Sequence, residues 1–243
     1  MRKMLPAMLP TILLFCAGVV GGCRTFEASV PQQTQRSPVP ENINAPFLDA
    51  EVNPDDWSER WEVESREICA CREAVVAALD LTPGQAVVDV GAGTGLFVAP
   101  FSAAVGPQGK VYAADISPAF VEHLQQRVEQ AGFRNVQPYL SKERSVSLPR
   151  ASVQTAYVGD TYHHFEYHLD MLASLFEAIA PGGQLVVVDF ERIPGTSSEW
   201  ILGHVRAGKQ EVRAEIEGAG FRFVEEVTIP GFQENYLLRF LRP

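Results

Sequence analysis

The chain has 243 residues, of which 46% are hydrophobic and 21% charged, and this composition excludes a coiled coil, a collagen and a wholly disordered chain. Thirty acidic residues against 20 basic ones give a net charge of −10. Such a surface repels phosphate backbones, so we expect no nucleic acid partner. The four cysteines are too few for a disulfide scaffold in a chain of this length.

The first residues have the layout of an export signal. Positive charges at Arg2 and Lys3 are followed by an apolar run that is too short to span a bilayer comfortably. The small residues that precede Cys23 resemble a bacterial lipobox. We therefore expect residues 1–22 to be a signal peptide and Cys23 to carry lipid. The protein would then lie in the cell envelope, facing the periplasm and attached to the membrane only by this anchor, or in the cytoplasm if the signal is not used.

A polar tether and one domain are expected after this signal. Residues 24–54 are dominated by Gln, Pro, Ser and Asn and have no apolar period, which predicts a flexible linker. From Trp57 onward the composition changes to that of a globular domain. We therefore place the domain at residues 55–243.

Within this domain, helical patterns alternate with short apolar strands. The predicted helices are 57–79, 96–105, 118–131, 168–180 and 198–218. The predicted strands are 86–90, 110–114, 136–140, 153–158, 184–190, 221–227 and 236–241. This alternation predicts an α/β fold with a doubly wound, mostly parallel seven-stranded sheet and helices on both faces. The last two strands have no helix between them, so one strand is expected to be antiparallel.

A glycine-rich loop follows the first predicted strand in the segment VVDVGAGTGLF, residues 87–97. Glycines permit tight turns and close approach of the backbone to a ligand. A dinucleotide fingerprint requires glycine where this chain has Leu96, and a phosphate-binding P-loop requires a Lys-Ser or Lys-Thr pair that is absent. Asp89, two residues before the first glycine, suits a cationic, amino-acid-bearing ligand better than a pyrophosphate.

At this point the chain resembles the class I S-adenosylmethionine-dependent methyltransferases. Besides the glycine loop, the segments VYAADIS, APGGQLVVVDF and EGAGFRFVEEV follow in the family's order over about residues 70–243. The resemblance implies a Rossmann-like fold and S-adenosyl-L-methionine as the cofactor. It also implies in-line methyl transfer, and we expect a small-molecule acceptor.

The resemblance also implies a set of cofactor-binding residues. The glycines would line the methionine and ribose, Asp89 would lie near the amino-acid end, and Asp115 would accept hydrogen bonds from the ribose hydroxyls. A cap of the following helix is the alternative for Asp115, and a loop-stabilising carboxylate is the alternative for Asp89. Where many relatives carry Gly-Asp-Ala, this chain has LSKER, so Glu143 is the substitute acid. The full set is Asp89, Gly91, Ala92, Gly93, Gly95, Asp115, Ile116, Glu143 and Asp160.

Three of the five histidines lie in the segment GDTYHHFEYH, residues 159–168, after the fourth strand. Ligands of open parallel sheets bind beyond the carboxyl ends of the strands, and histidine accepts protons near neutral pH. We therefore assign His163, His164 and Glu166 as catalytic residues, with His204 able to approach from a later helix. The alternative is that the histidine pair only packs the loop.

Two other functions stay open from the sequence. Export favours a binding module that holds S-adenosylmethionine or S-adenosylhomocysteine without turnover. The spacing of His164 and His168 suits a metal-dependent enzyme that uses the cluster of His163, His164 and His168. No third ligand is fixed by that spacing, so we assign no metal ligands.

Overall fold

The structure, a computed structural model, describes Met1 and residues 39–243. The predicted signal peptide, Cys23 and the first part of the predicted tether lie outside the described residues. Among the residues described, no helix combines the length and the apolar character needed to cross a membrane.

Helices and strands alternate through the described chain. The helices are α1 (Ala45–Leu48), α2 (Pro54–Trp61), α3 (Glu67–Ala70), α4 (Arg72–Ala78), α5 (Val98–Val105), α6 (Pro118–Ala131), α7 (His168–Ala178), α8 (Glu199–His204) and α9 (Lys209–Gly218), with a 3₁₀ turn at Tyr162–His164. The strands are β1 (Ala86–Val90), β2 (Lys110–Asp115), β3 (Val136–Leu140), β4 (Val153–Gly159), β5 (Ile179–Phe190), β6 (Arg222–Glu226) and β7 (Asn235–Leu241).

The strands form one seven-stranded sheet in the order β3-β2-β1-β4-β5-β7-β6. The strands β1 to β5 are all parallel to one another, and β7 runs antiparallel to both β5 and β6. The predicted doubly wound, Rossmann-like sheet with one antiparallel strand is confirmed. Strand order reverses between β1 and β4, and ligands of such sheets bind beside this switch point.

Hydrophobic cores cover both faces of the sheet because successive strand residues point to opposite sides. In β5, Leu185 and Val187 face the core that contains α7 and α9, whereas Val186 and Val188 face the core that contains α4 and α5. All four of these side chains are fully buried, which is why the segment is apolar without alternation. The polar side chains that end β1, β2 and β5 are therefore confined to the carboxyl edge.

The domain begins earlier than predicted, because the second half of the predicted tether is folded. Ile43 and Asn44 are buried, α1 follows them, and Phe47 packs against the tryptophans of α2. The polar composition of residues 24–54 hid this, since the few apolar side chains show no period. The tether prediction is thus wrong for residues 43–48.

Two predicted helices are also broken in the structure. The predicted helix 57–79 is divided into α2, α3 and α4, because Glu62 turns to bind Arg127 and Arg66 turns to bind Asp160. The predicted helix 198–218 is divided into α8 and α9 by a segment in which Val205 and Ala207 enter the core. Tertiary contacts override helix propensity in both places.

Candidate active site

A cavity of about 630 Å³ opens at the carboxyl ends of β1, β2, β4 and β5. All but one of the residues that we predicted for the site line it. Gly95 is the exception: a Cβ there would lie 2.9 Å from Leu124 Cδ2, so this glycine permits close packing on α6 instead. The predicted residues that line the cavity are Asp89, Gly91, Ala92, Gly93, Asp115, Ile116, Glu143, Asp160, His163, His164 and Glu166.

The glycine loop forms one wall of this cavity and could not be built from larger residues. Gly91 and Gly93 have φ values of +75° and +52°, in the left-handed region that side chains disfavour. A Cβ on Gly91 would lie 2.4 Å from Thr161 Cγ2, and one on Gly93 would lie 3.0 Å from Trp61 Cζ3. The absence of a Cβ therefore lets the loop lie directly against Thr161 and Trp61 at the wall of the cavity.

The carboxylate of Asp89 is buried beside this loop and accepts no hydrogen bond from the described residues. Burial, and then the nearby charge of Asp115, raise the pKa of Asp89 from 3.8 to about 7. The hydroxyl of Tyr157, which also lines the cavity, is buried and has no partner in the described part of the chain. Two unpaired polar groups at one end of a cavity point to a polar ligand.

Asp115 is also buried, at the end of β2, but its carboxylate is held by the backbone. Its Oδ2 accepts from the N–H of Gly93 at 2.9 Å, and its Oδ1 accepts from the N–H of Ser117 at 2.9 Å. Burial raises the pKa of Asp115, and these backbone donors lower it. Each oxygen keeps a second lone pair for a ligand hydroxyl. Ser117, which precedes α6, makes no side-chain capping bond, and its buried hydroxyl has no partner among the described residues.

Asp160 also lines the cavity and is paired. Arg66 Nη2 donates to Asp160 Oδ2 at 2.6 Å, and Asn235 Nδ2 donates to Oδ1 at 2.8 Å. Burial raises the pKa of Asp160 to about 6, against the opposing effect of Arg66. Asp160 therefore joins the residue before α3 to the first residue of β7. Because Asp160 also lines the cavity, its contact with the cofactor stays a prediction.

His163 is held in one orientation by an acid that we did not predict. Asp189, the penultimate residue of β5, accepts from His163 Nδ1 at 2.7 Å and from the His163 backbone N–H at 3.0 Å. Both side chains are buried. Because a carboxylate only accepts, Nδ1 carries the proton, and Nε2 keeps a free lone pair. An acid that ends an apolar strand was the available sequence signal for Asp189.

His164 is held by the segment that we expected to be a tether. Asn44 Nδ2 donates to the backbone oxygen of His164 at 3.1 Å and to Glu166 Oε1 at 3.3 Å. The amide oxygen of Asn44 therefore faces His164 Nδ1, at 3.2 Å. Burial and the neighbouring His163 and His204 hold the pKa of His164 well below its ordinary value. Glu166 is thus linked to His164 by Asn44. No feature of the sequence indicated that Asn44 belongs to the site.

The three histidines that meet in the cavity are His163, His164 and His204. Their ring centroids lie 4.3, 5.2 and 5.3 Å apart in pairs. His168, which we had grouped with the first two, instead faces Glu215 at 3.4 Å in the α7–α9 packing. Its place is taken by His204 at the end of α8, because α8 folds back over the carboxyl edge of the sheet.

Aromatic rings enclose the histidine end of the cavity. Trp61 stacks on Phe120 at 5.6 Å, and Phe47 contacts both Trp61 and His164. On the other side, Trp200 stacks on His204 with centroids 4.7 Å apart. These rings provide an apolar wall around a small set of polar nitrogens, which is the usual composition of a small-ligand site.

Comparison with known proteins agrees with this geometry. Residues 87–183 match the family described as a methyltransferase domain. The chain is 32% identical over 166 residues to protein-L-isoaspartate O-methyltransferase of Aeropyrum pernix, covering 65% of this chain and 57% of that protein. It is 27% identical over 122 residues to the ubiquinone/menaquinone biosynthesis C-methyltransferase UbiE of Coxiella burnetii, covering 50% and 49%. The chain thus spans between half and three fifths of these curated relatives.

A solved structure covers more of the chain. A SAM-dependent methyltransferase from Aquifex aeolicus superimposes with a TM-score of 0.70 at 25% identity, over 79% of this chain and 99% of that one. Together these matches support a class I methyltransferase domain, and its cofactor is S-adenosyl-L-methionine.

The residues present fit this cofactor. Asp89 is an unpaired buried carboxylate next to a loop that any Cβ would obstruct, which suits a cationic amino-acid moiety. Asp115 retains lone pairs for ribose hydroxyls at the neighbouring strand end. Glu143 is an exposed residue on the cavity rim, where the family's adenine-binding acid was expected, and its contact with adenine stays a prediction.

Proposed function

We propose that the protein is an S-adenosylmethionine-dependent methyltransferase whose acceptor is a small molecule. The observation that carries this proposal is the unpaired, buried Asp89 beside the glycine loop, in the same cavity as the histidines. A ligand bound to Asp89 and Asp115 at one end would extend toward His163 and His164 at the other. Donor and acceptor would thus share one enclosed space.

The histidine end supplies what such a reaction requires. When bound, S-adenosylmethionine supplies a methyl group on a sulfur that leaves, so an acceptor with an O–H or N–H must also lose a proton. His163 Nε2 has a free lone pair, and Asp189 fixes the ring and stabilises the positive charge that the ring gains with the proton. His164, set by Asn44, would orient the acceptor, and Glu166 would hold Asn44 in place.

The lining of the cavity supports an apolar or aromatic acceptor. Phe47, Trp57, Trp61 and Phe120 form one wall, and Phe190 and Trp200 lie opposite. Asn44 and Phe47 also cover the histidine end from above the sheet, which restricts entry of a folded protein or a nucleic acid. The acidic chain adds to this restriction for nucleic acids.

Radiolabelled cofactor tests this proposal. The purified full-length chain is incubated with S-adenosylmethionine labelled in its methyl group and with cell extract separated into low-mass and macromolecular fractions. We expect label in the low-mass fraction, and a loss of at least tenfold for His163→Ala and for His164→Ala with cofactor binding retained. His168→Ala, outside the cavity, is the matched control and keeps the wild-type rate.

Each other outcome overturns a stated part of the proposal. Label in proteins alone would refute the small-molecule acceptor. Binding of cofactor without label in any fraction would indicate a binding module. Equal rates for all three histidine variants would remove the catalytic assignment of the cluster.

We also propose that the protein is an exported lipoprotein. The support is the charged start, the apolar run and the Gly-Gly-Cys ending at Cys23. Labelled palmitate should attach to the full-length chain and not to Cys23→Ser, while Cys69→Ser, altered at a buried cysteine of the domain, should keep the label. Equal labelling of all three chains would contradict the lipid anchor.

A further inference from the structure

The cavity holds three clustered histidines, which is more than the proposed methyl transfer requires. One ring nitrogen from each of His163, His164 and His204 lies within 4.8 Å of the others. A single base would suffice to take one proton. Three convergent imidazoles are instead the ligand set found in catalytic zinc sites, where a fourth position is left for water or substrate.

The partners of the first two rings determine which nitrogens are available. His163 Nδ1 is bound to the Asp189 carboxylate at 2.7 Å, so its Nε2 holds the lone pair. The amide of Asn44 donates through Nδ2 to two oxygens and presents its Oδ1 to His164 Nδ1 at 3.2 Å, so His164 Nε2 also holds a lone pair. An oxygen acceptor behind each imidazole is the arrangement that orients histidine ligands of metals.

The surroundings of the cluster also suit a metal ion. His204 is stacked on Trp200 at 4.7 Å, and Phe190 contacts His163, so apolar rings shield the site. Zinc–nitrogen bonds of about 2.0 to 2.1 Å in tetrahedral geometry place ligand nitrogens about 3.3 Å apart. A pair of nitrogens as far apart as 4.8 Å would have to approach on metal binding. His163 and His164 are held by Asp189 and Asn44, whereas His204 is the last residue of the short helix α8.

We propose that His163, His164 and His204 bind a divalent transition-metal ion of the zinc class, and that the oxygen or sulfur of the methyl acceptor is its fourth ligand. The metal would lower the pKa of the bound hydroxyl or thiol, whose proton leaves to water. In this state His163 is a ligand and no longer the base. The identity of the fourth ligand rests on the proposed function, whereas binding of the metal does not.

Zinc titration of the metal-stripped full-length chain tests the site without reference to activity. Calorimetry with zinc chloride should show one equivalent bound in the wild type. His163→Gln, His164→Gln and His204→Gln should each weaken binding at least tenfold. His168→Gln, in the neighbouring helix and outside the cluster, should bind like the wild type. Asn44→Ala should weaken binding about tenfold, because it removes the acceptor behind His164 and the two hydrogen bonds that Asn44 donates, but leaves all three imidazoles in place.

Cobalt substitution provides a second readout that does not depend on calorimetry. Cobalt chloride should give the visible absorption of a four-coordinate site in the wild type and in His168→Gln, but not in His204→Gln. His204 is on the rim of the fold, so this variant is expected to keep the wild-type melting temperature. The inference is overturned if the wild-type chain binds no zinc. It is also overturned if all four histidine variants bind zinc as tightly as the wild type.

The failure of this inference is distinguishable from failure of the proposed function. Titration of the metal-free chain with S-adenosylmethionine tests the cofactor site alone. Cofactor binding without zinc binding would refute the metal site and leave the methyltransferase proposal in place. Zinc binding without cofactor binding would refute the methyltransferase and leave the metal site.

Discussion

At the scale of single residues, Asp89 is the group that we propose to bind the cofactor through charge. Its pKa of about 7 means that half of the apo protein carries a neutral carboxyl at this position near neutral pH. A ligand ammonium would favour the charged form and lower that pKa again. Cofactor binding should therefore be coupled to loss of a proton from Asp89.

This coupling predicts a pH dependence of affinity. Between about pH 6 and pH 7.5, the ionised fraction of Asp89 rises roughly eightfold for a pKa of about 7, so the affinity for S-adenosylmethionine should increase by about the same factor. Asp89→Asn should bind more weakly and show no such increase. Calorimetry at several pH values measures this, and an equally steep increase in Asp89→Asn would contradict it.

The same raised pKa has the opposite effect on stability. The folded protein keeps a proton on Asp89 that the unfolded chain releases near its ordinary pKa of 3.8. The free energy of unfolding of the apo protein should therefore fall as the pH rises from about 4 to about 7, relative to Asp89→Asn. Urea unfolding at both ends of this range measures the change in both proteins. Asp89→Asn is the control, because the contribution of Asp160 is the same in both.

Gly93 provides a steric test of the same end of the cavity. Gly93→Ala places a Cβ 3.0 Å from Trp61 at a positive φ and should weaken S-adenosylmethionine binding at least tenfold. Gly84→Ala is the matched control, because Gly84 also has a positive φ but its Cβ would meet nothing within 4 Å. Each variant should lose about 1 kcal/mol of stability from backbone strain. Equal affinities in the two variants would contradict the proposed loop–ligand contact.

Sequence reasoning succeeded for these loop residues because their chemistry is local. Gly91, Gly93 and Asp89 lie within five residues, and the resemblance to the methyltransferases implied that they share one site; in the structure all three line the cavity. Asp189 and Asn44 were missed because they act on the histidines across 26 and 120 residues of chain. Only folding brings such partners together.

At the scale of elements, a buried ion pair holds the helices behind the histidine loop. Both terminal nitrogens of Arg206 donate to Glu215 at 2.7 Å, and the Tyr162 hydroxyl donates to the same carboxylate at 2.8 Å. The Arg206 side chain is 2% exposed. The neighbouring Lys209, at the start of α9, pairs with Glu191 and Glu226.

Removal of Arg206 should make the folded protein less stable. Arg206→Met leaves Glu215 without its main counter-charge and should lower the free energy of unfolding by about 3 kcal/mol. Arg150→Met removes an exposed pair with Glu177 and should cost less than about 0.5 kcal/mol. Urea unfolding measures both variants. If Arg206→Met unfolds like Arg150→Met, the ion pair does not stabilise the packing of the α8–α9 segment on α9.

Element prediction was accurate where packing and periodicity agreed. The strands β1 and β3 and the helix α6 match the predicted ranges, because each is a regular apolar pattern bounded by turn residues. The predicted helix 57–79 was wrong in its interior, where Glu62 and Arg66 leave the helix to pair with distant residues. Periodicity carries no information about such pairs.

At the scale of the whole molecule, the order of strands explains why the site is where it is. The sheet places the ends of β1 and β4 side by side at the switch point, with β2 and β5 beyond them. The loop after β1, the acid of β2 and the histidines after β4 therefore meet at one edge. The alternation of helices and strands predicted a parallel sheet whose carboxyl ends share one edge, whereas the strand order that brings these loops together is given by the structure.

The central claim is that this edge binds a sulfonium nucleoside, and competitive calorimetry tests it most directly. The full-length chain is titrated with S-adenosylmethionine, with S-adenosylhomocysteine and with nicotinamide adenine dinucleotide. We predict one equivalent of each of the first two ligands and no binding of the third. Binding of the dinucleotide, with no heat from either S-adenosyl compound, would contradict the account.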